Sequence, residues 1–366
     1  MSAPRLEIDL DKVHHNAQTL VKRLAARGIS VTGVTKSSLG CPAIATALLR
    51  AGVRALGDSR IENIEAMRDA QVAAPMTLIR SPMLSQAERV VVHTDISFNT
   101  ELDVIRELSS AAQKAKRMHG VVLMVELGDL REGIMPGELE STVRQMIHLP
   151  NILLKGIGTN LACRCGVSPD TNNMAELSAL ADSIETSFGS ILSIVSGGNS
   201  ANLEWALSGA DTGRINDLRL GESLLLGCEP LHRQPIDGLH TDAITLVAEV
   251  IESKLKPSQP RGEPGQNAFG ETPSITNRGH ITQTILAIGY QDIDPSGLQA
   301  PVGIRFLGAS SDHLVVESDH CLPIGSEISF QLNYSALVRA MTSPFIAKVM
   351  KGQGHHGHMS DSYGKL

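Results

Sequence analysis

The sequence contains no run of 18 apolar residues, which is the length needed to span the apolar core of a bilayer. Its first ten residues, MSAPRLEIDL, alternate polar and apolar side chains and lack the apolar core of a secretion signal. We therefore expect a cytoplasmic protein that has no membrane partner.

An excess of positive charge is also missing. Against 32 lysines and arginines there are 39 aspartates and glutamates, which gives a formal net charge of -7 at pH 7. A chain of this charge offers no broad basic surface to which a nucleic acid would bind. We expect neither DNA nor RNA as a partner.

Cysteine is scarce, and the five cysteines do not form the paired C-x-x-C spacing of a zinc site. We interpret them as reduced thiols and predict no metal. The last segment, residues 351–366, contains His355, His356 and His358 but has almost nothing to bury. It is predicted to be a disordered tail rather than a metal site.

Strand and helix patterns alternate from about residue 12 to residue 218. Runs rich in β-branched residues are separated by segments of helical periodicity, which gives eight strand–helix units. The predicted strands are residues 29–35, 53–58, 76–80, 94–98, 121–127, 152–159, 191–196 and 212–218. Because parallel strands need crossover connections, eight such units close into a barrel. The sequence predicts an α/β fold with a TIM-like (β/α)8 barrel over residues 1–230.

The pattern changes after residue 230. Short strands separated by glycine, proline and aspartate turns follow, with hardly a helix between them. We predict a mostly antiparallel C-terminal β domain over residues 231–350, for which residues 1–10 are a candidate additional strand.

Lys36 directly follows the first predicted strand. In barrel enzymes the reactive side chains lie where the strands end. Desolvation by the neighbouring barrel walls would lower the pKa of this amine and make it a nucleophile able to form a Schiff base. A solvated surface lysine is the alternative, and the position of Lys36 alone does not exclude it.

A glycine-rich loop, SGGNSA, follows the seventh predicted strand and includes Asn199 and Ser200. Glycines let the backbone approach a ligand closely, and the N–H groups at a helix start attract phosphate. The eighth strand ends in Arg219-Leu220-Gly221-Glu222, and barrels often bind phosphate at the loops after strands seven and eight. The position predicts a phosphate site, although turn formation alone would also explain the glycines.

Another charged group follows the fifth barrel strand in the segment VELGDLREGIMP. There Arg131 has the geometry to bind a carboxylate with two hydrogen bonds. A surface ion pair with an acidic neighbour is the other interpretation.

Seven segments occur in an order that resembles the alanine racemase family of fold-type III pyridoxal-phosphate enzymes: GVTKSSLG, ELGDLREGI, GIGTNLAC, SGGNSA, RLGE, AIGYQD and GASSDH. The GASSDH segment and GDSRIEN, residues 57–63, are more typical of the branch that contains ornithine racemase. The resemblance covers nearly the whole chain. It implies a racemase that interconverts L- and D-amino acids, with ornithine or another basic amino acid preferred.

The same resemblance assigns the cofactor, pyridoxal 5'-phosphate, to specific residues. It implies that Lys36 binds the cofactor as a Schiff base, that Ser200, Gly221 and Glu222 hold the phosphate, and that Arg219 faces the pyridine nitrogen. An arginine there stays charged and weakens the ring as an electron sink, which favours proton exchange at Cα over transamination.

Three further polar residues have roles implied by the family. Arg131 would orient the substrate carboxylate or a cofactor oxygen. Asn160 would lie beside the cofactor ring, where the family often has histidine. Ser311, in GASSDH, belongs to the segment expected at the substrate carboxylate.

Racemisation removes a proton from one face of Cα and returns one to the other, so Lys36 needs an opposing acid–base group. The family supplies a tyrosine from a partner subunit, whereas this chain has Asn267 near that position, and an amide cannot act as a base. The candidates are His313 and Asp312, ranked slightly above Tyr290. Turn capping by His313 and simple packing of Tyr290 are the alternatives.

The family arrangement implies a homodimer in which each active site is shared between one subunit's barrel and the other's β domain. Two other functions stay open. A metal-assisted D-hydroxy-amino-acid aldolase would need a histidine–aspartate ligand pair, for which Asp312 with His313 and Asp319 with His320 are candidates. A non-catalytic pyridoxal-phosphate carrier is the other, but the barrel-only proteins of that kind lack a β domain.

Overall fold

The computed structural model describes residues 4–189, 192–263, 265–270, 272, 276–352 and 357–358. The chain divides into two compact units, one formed by Leu10–Thr241 and the other by Met1–Asp9 together with Asp242–Leu366. The first strand, β1 (Arg5–Asp9), thus belongs to the same unit as the C-terminal half of the chain. The units meet in sequence at Thr241, whereas the predicted boundary is residue 230.

Leu10–Thr241 contains a closed barrel of eight parallel strands. These strands are β2 (Ser30–Val34), β3 (Ala55–Asp58), β4 (Met76–Leu78), β5 (Ile96–Asn99), β6 (His119–Met124), β7 (Ile152–Gly158), β8 (Ile194–Ser196) and β9 (Asp217–Leu220). Pairing of β2 with β9, in which Thr32 lies opposite Arg219, closes the barrel. The predicted TIM-like barrel is confirmed.

Helices separate the barrel strands. They are α1 (Leu10–Ala25), α2 (Pro42–Arg50), α3 (Ile61–Asp69), α4 (Ala87–His93), α5 (Leu102–Lys114), α6 (Pro136–Met146), α7 (Thr171–Phe188), α8 (Leu203–Leu207) and α9 (Glu222–Leu226). In α5 the buried residues Ile105, Leu108 and Ala112 recur at helical spacing, so one face packs against the barrel. Asp170 begins α7 by accepting a hydrogen bond from the Asn173 backbone N–H at 2.8 Å.

The eighth barrel strand differs from the prediction of residues 212–218. It begins at Asp217, because the preceding residues form a turn closed by the bond from Ile215 N to Thr212 O at 3.0 Å. Gly213 within that turn has φ +52°, a conformation that favours glycine. Arg219 therefore lies inside a strand, and the direction of its side chain is set by the alternation of side chains along that strand.

The second unit is a mostly antiparallel β structure, as predicted. Its remaining elements are β10 (Ile244–Pro257), β11 (His280–Leu286), β12 (Leu298–Gln299), β13 (Ile304–Ala309), β14 (Leu314–Ser318), β15 (Glu327–Leu332), α10 (Tyr334–Thr342), β16 (Ala347–Lys351) and β17 (Gly357–His358). β1 runs antiparallel to β10 and parallel to β16. The sheet buries apolar side chains such as Leu6, Leu246 and Phe330.

The predicted disordered tail, residues 351–366, falls mostly outside the described residues, including His355 and His356. Its described part differs from the prediction, because Lys351 ends β16 and Gly357–His358 pair with that strand. Over the part of the chain that the structure describes, no helix is both long and apolar enough to cross a bilayer.

Candidate active site

The turn that carries Lys36 lies at the carboxyl end of β2 and is fixed by a buried carboxylate. Thr35 donates its hydroxyl to Asp58 Oδ2 at 2.7 Å, while Asp58 Oδ1 accepts from the Arg60 N–H at 2.9 Å and the Asn63 amide at 3.0 Å. Burial raises the pKa of Asp58, and these donors oppose the shift. The backbone leading to Lys36 is thereby held to the next strand, β3.

Lys36 itself is exposed. The expectation that barrel walls desolvate its amine is wrong for this structure, because Lys36 stands two residues beyond β2, in a turn above the barrel wall. The amine nevertheless lies close enough to the Glu222 carboxyl to oppose slightly the rise that burial causes in the pKa of that group. Lys36 and the end of β9 thus share one edge of the barrel.

Arg219 is a buried cation at this edge with several hydrogen-bond partners. Its guanidinium is buried, donates to Ser196 Oγ at 2.6 Å and to the Thr159 carbonyl at 2.8 Å, and lies over the Phe98 ring at 4.9 Å. It also donates to Asn160 Oδ1 at 3.3 Å. Burial lowers the pKa of Arg219. Contacts on several sides therefore fix the orientation of this cation inside the barrel.

Asp217 lies two residues before Arg219 on β9, and both side chains are buried. Its Oδ1 accepts from the Thr32 hydroxyl at 2.7 Å and its Oδ2 from the Ser196 hydroxyl at 2.6 Å. Ser196 consequently bridges the carboxylate and the guanidinium. Burial raises the pKa of Asp217, against the effects of both hydroxyls and of Arg219.

Asn160 and Asn199 connect the loops after β7 and β8. The Asn199 amide donates to Asn160 Oδ1 at 3.2 Å and to the Leu161 carbonyl at 2.8 Å, while its Oδ1 accepts from the Ala201 N–H at 2.7 Å. Among the described residues, the buried Asn160 Nδ2 has no hydrogen-bond partner. An unpaired buried donor beside Arg219 is the type of group that a bound ligand would satisfy.

The glycine-rich loop folds tightly onto itself. Gly198 has φ +140°, and a Cβ there would overlap Asn202 Oδ1, which accepts from the Asn199 N–H at 3.0 Å. Only glycine allows this backbone path without strain. The path brings Ser200 to the end of β9.

Ser200 meets the segment after β9 through hydroxyl and backbone contacts. Its Oγ lies 3.0 Å from Ser223 Oγ and accepts from the N–H groups of Ser223 at 3.3 Å and Gly221 at 3.4 Å. A Cβ on Gly221 would come within 3.2 Å of Val34 Cβ, so the backbone there lies close to the end of β2. The predicted phosphate residues Ser200 and Gly221 are thus brought together beside the Lys36 turn.

Glu222, assigned to the phosphate by family resemblance, forms an ion pair with Arg233. Burial raises the pKa of its carboxyl, and Arg233 opposes the shift. A carboxylate repels a phosphate, so only the backbone of Glu222, at the first position of α9, suits that role.

Arg131 pairs with the adjacent Glu132, with Nη2 and Oε1 2.5 Å apart, and Glu132 raises its pKa. The ion-pair interpretation therefore describes its contact, but the guanidinium also interacts with Cys163. Asp129 fixes the position of that loop, since its carboxylate accepts from the N–H groups of Arg164 at 2.9 Å and Cys165 at 3.0 Å. Arg131, Cys163 and Asn199 are brought together, as Asn199 Nδ2 lies 3.4 Å from Cys163 Sγ.

The candidates for the second base lie in the β unit, where two sequence segments meet. Tyr290 N donates to the Ser310 carbonyl and Gln291 N to the Ser311 carbonyl, each at 2.9 Å. His313 Nδ1 lies 2.8 Å from Asp312 Oδ1, and His313 lowers the pKa of Asp312.

Tyr290 has an aromatic neighbour from the segment that contains Asn267. Its ring lies 4.5 Å from that of Phe269, which follows Asn267 by two residues. Asn267 Oδ1 itself accepts from the Phe269 N–H at 2.9 Å. Within the residues described, no group of three or more histidine, cysteine, aspartate or glutamate side chains is arranged to hold a metal ion.

Sequence reasoning missed several residues that position the site. Asp217 had a signal, because residues at i and i+2 on a strand face the same side, which places it with Arg219. Asp58 and Asp129 had no comparable signal. Asp58 also has near neighbours as partners, but its contact with Thr35 joins residues 23 positions apart, and Asp129 binds the N–H of Cys165, 36 residues away. Only the barrel brings these distant pairs together.

The alanine racemase N-terminal domain model matches residues 8–229. Ornithine racemase from Acetoanaerobium sticklandii is 40% identical over 352 residues, covering 94% of this chain and 99% of that protein. Lysine racemase from Thermotoga maritima is 37% identical over 353 residues, covering 95% and 99%.

Solved structures have the same fold at lower identity. Alanine racemase from Streptomyces lavendulae matches with a TM-score of 0.75 and 19% identity, covering 96% of this chain and 98% of that one. D-Threonine aldolase from Filomicrobium marinum matches with a TM-score of 0.72 and 18% identity, covering 96% and 91%. Two reactions therefore occur on this fold, and the sequence match decides between families: the chain belongs to the alanine racemase family.

Proposed function

We propose that this enzyme racemises a basic amino acid, ornithine or lysine, with pyridoxal 5'-phosphate as cofactor. The observation that carries the proposal is the sequence match to two racemases named for those substrates. The match extends over nearly the full length of the chain, at 40% and 37% identity. The geometry of the barrel edge supports it, since a lysine, a buried arginine and a hydroxyl-lined glycine loop converge there.

The residues at the barrel edge fit the cofactor. The unpaired donor of Asn160 lies next to Arg219, and the lack of a side chain at Gly221 lets the backbone beside Ser200 pass close to Val34. Ser200, Ser223 and the backbone of Gly221 and Glu222 would hold the phosphate. Asn199 would hold the loop that carries Ser200, and Lys36 would bind the cofactor covalently.

When bound, the cofactor supplies an electron sink that makes the Cα hydrogen of the amino acid acidic. Lys36 Nζ takes that proton on one face of Cα or returns it there. Arg219 remains a cation and keeps its own protons, because arginine does not deprotonate in proteins. The arrangement thus favours return of a proton to Cα over chemistry that needs an acid at the ring nitrogen.

His313 is our first candidate for the opposing base. Its Nδ1 faces the Asp312 carboxylate at 2.8 Å, which would orient the ring so that Nε2 is the atom that moves the proton. Tyr290 is the second candidate. Arg131 and Ser311 would bind the substrate carboxylate.

We further propose a cytoplasmic homodimer in which His313 of the partner subunit is the second base. Mixing inactive Lys36→Ala protein with inactive His313→Ala protein tests this directly. In a shared-site dimer, each heterodimer contains one intact site, so activity returns. Sites built within one subunit would stay inactive after mixing.

The test of the proposed function is a substrate panel followed by chiral chromatography. Protein loaded with pyridoxal phosphate would receive L-ornithine, L-lysine, L-alanine or D-threonine, with and without a chelator. We expect D-ornithine or D-lysine, unaffected by chelation. Lys36→Ala should abolish the product, whereas Lys114→Ala, which alters an exposed ion pair with Glu88, should not. Glycine and acetaldehyde from D-threonine, lost with chelator, would instead favour the aldolase, and binding without turnover the carrier.

A further inference from the structure

The hydrogen bonds around Ser196 have only one consistent direction. Arg219 can only donate, so the Ser196 oxygen accepts from its Nη1 at 2.6 Å. The single hydroxyl hydrogen of Ser196 is then available to Asp217 Oδ2, also at 2.6 Å. Thr32 directs its own hydroxyl hydrogen to Asp217 Oδ1 at 2.7 Å. Asp217 thus accepts on both oxygens, which is the pattern of an ionised carboxylate.

Charge balance leads to the same conclusion. Arg219 keeps its positive charge although it is buried, and an unpaired buried charge is costly. Asp217 is the carboxylate that most strongly opposes the effect of burial on Arg219. An anion in this position compensates the guanidinium inside the barrel.

We propose that Asp217 is a positioning residue for the cofactor. As the buried counter-ion of Arg219, acting through the Ser196 hydroxyl, it fixes the orientation and charge of the guanidinium at the pyridine ring. This inference rests on the proposed function, because Arg219 is placed at the ring by family membership. Asp217 touches neither substrate nor reacting atoms in this account.

The first test uses the protein without cofactor, in a double-mutant cycle of thermal unfolding. Asp217→Asn leaves the Arg219 charge uncompensated and should lower Tm by at least about 5 °C. Arg219→Met removes the charge that Asp217 compensates. The decrease in Tm of the double variant should be clearly smaller than the sum of the decreases in the two single variants. Additive losses would overturn the counter-ion role.

The second test uses pyridoxal phosphate itself, through its visible absorption spectrum and its binding affinity. Ser196→Ala removes the bridge but keeps both charges, so it should fold even if Asp217→Asn does not. We expect Ser196→Ala to weaken cofactor binding about tenfold and to change the spectrum of the bound cofactor. Ser178→Ala, at a buried serine on α7 that donates to Met174 O, should change neither.

The two proposals fail separately. Coupling in the unfolding cycle without racemisation of any amino acid would retain the counter-ion role and reject the proposed function. Racemisation with an additive cycle, or with an unchanged spectrum and affinity in Ser196→Ala, would reject the role of Asp217 alone.

Discussion

Thr35, the residue before Lys36, donates its hydroxyl to Asp58 Oδ2 at 2.7 Å. Both residues are buried, and Asp58 also begins the connection to α3 by accepting from the Arg60 N–H. A single carboxylate therefore joins the Lys36 turn to the neighbouring strand. Because Lys36 itself is exposed, we predict that this contact helps to position its amine.

Replacing Thr35 tests that dependence. Thr35→Val keeps the side-chain shape but removes a donor from a buried carboxylate, which should cost about 1–3 kcal/mol of unfolding free energy and lower kcat about tenfold. Thr35→Ser keeps the hydroxyl and is the matched control. Urea unfolding and steady-state kinetics with ornithine measure the two effects. Equal behaviour of the two variants would show that the contact does not position Lys36.

The glycine-rich loop gives a second prediction. Gly198→Ala would place a methyl group against Asn202 and strain a φ of +140°, which should displace Ser200 and weaken pyridoxal phosphate binding at least about tenfold. Gly209→Ala is the control, because its φ is +90° but nothing lies within 4 Å of the added Cβ. Absorbance titration of the cofactor compares them. An affinity loss as large in Gly209→Ala would assign the effect to general backbone strain.

Local patterns predicted the barrel because each strand carries its own β-branched run and each crossover its own helical periodicity. They misplaced β9, where a turn around Gly213 occupies the first part of the predicted strand. They also missed α10, although Asn333 is a typical N-cap residue and accepts from the Ala336 N–H at 3.0 Å.

Sequence motifs proposed the candidate site residues, but they could not predict contacts between residues that are distant along the chain. Lys36, Ser200 and Gly221 occur in motifs, and the structure places them at the same edge of the barrel. Their functional roles stay predictions. Asp129 binds the backbone of Arg164 and Cys165 across two loops, and no local pattern reports such a pairing. The pairing of Arg131 with Glu132 was one of two alternatives that residue spacing left open.

Buried His119 predicts how stability changes with pH. Burial lowers its pKa from 6.5 to about 4, its Nε2 lies 2.7 Å from Ser97 Oγ, and its Nδ1 has no hydrogen-bond partner among the residues described. The folded protein therefore takes up this proton less readily than the unfolded chain. Stability from His119 is complete above pH 6.5 and is lost as the pH falls to about 4, by up to about 3 kcal/mol.

Unfolding of His119→Gln across that pH range measures this contribution. Glutamine does not titrate, so the variant should lose less stability than the native protein between pH 6.5 and about 4. His148→Gln, at an exposed position, should retain the native pH dependence. Parallel curves for all three proteins would mean that His119 is not the group responsible.

The central claim is that Lys36 and an opposing base exchange protons at the two faces of Cα. The most direct measurement follows L-ornithine in deuterated water at early reaction times, by NMR at Cα and by chiral separation. We predict D-ornithine that carries deuterium at Cα while the remaining L-ornithine still carries hydrogen, and no reaction in Lys36→Ala. Deuterated L-ornithine without the D-enantiomer, or no exchange with any basic amino acid, would contradict the two-base account.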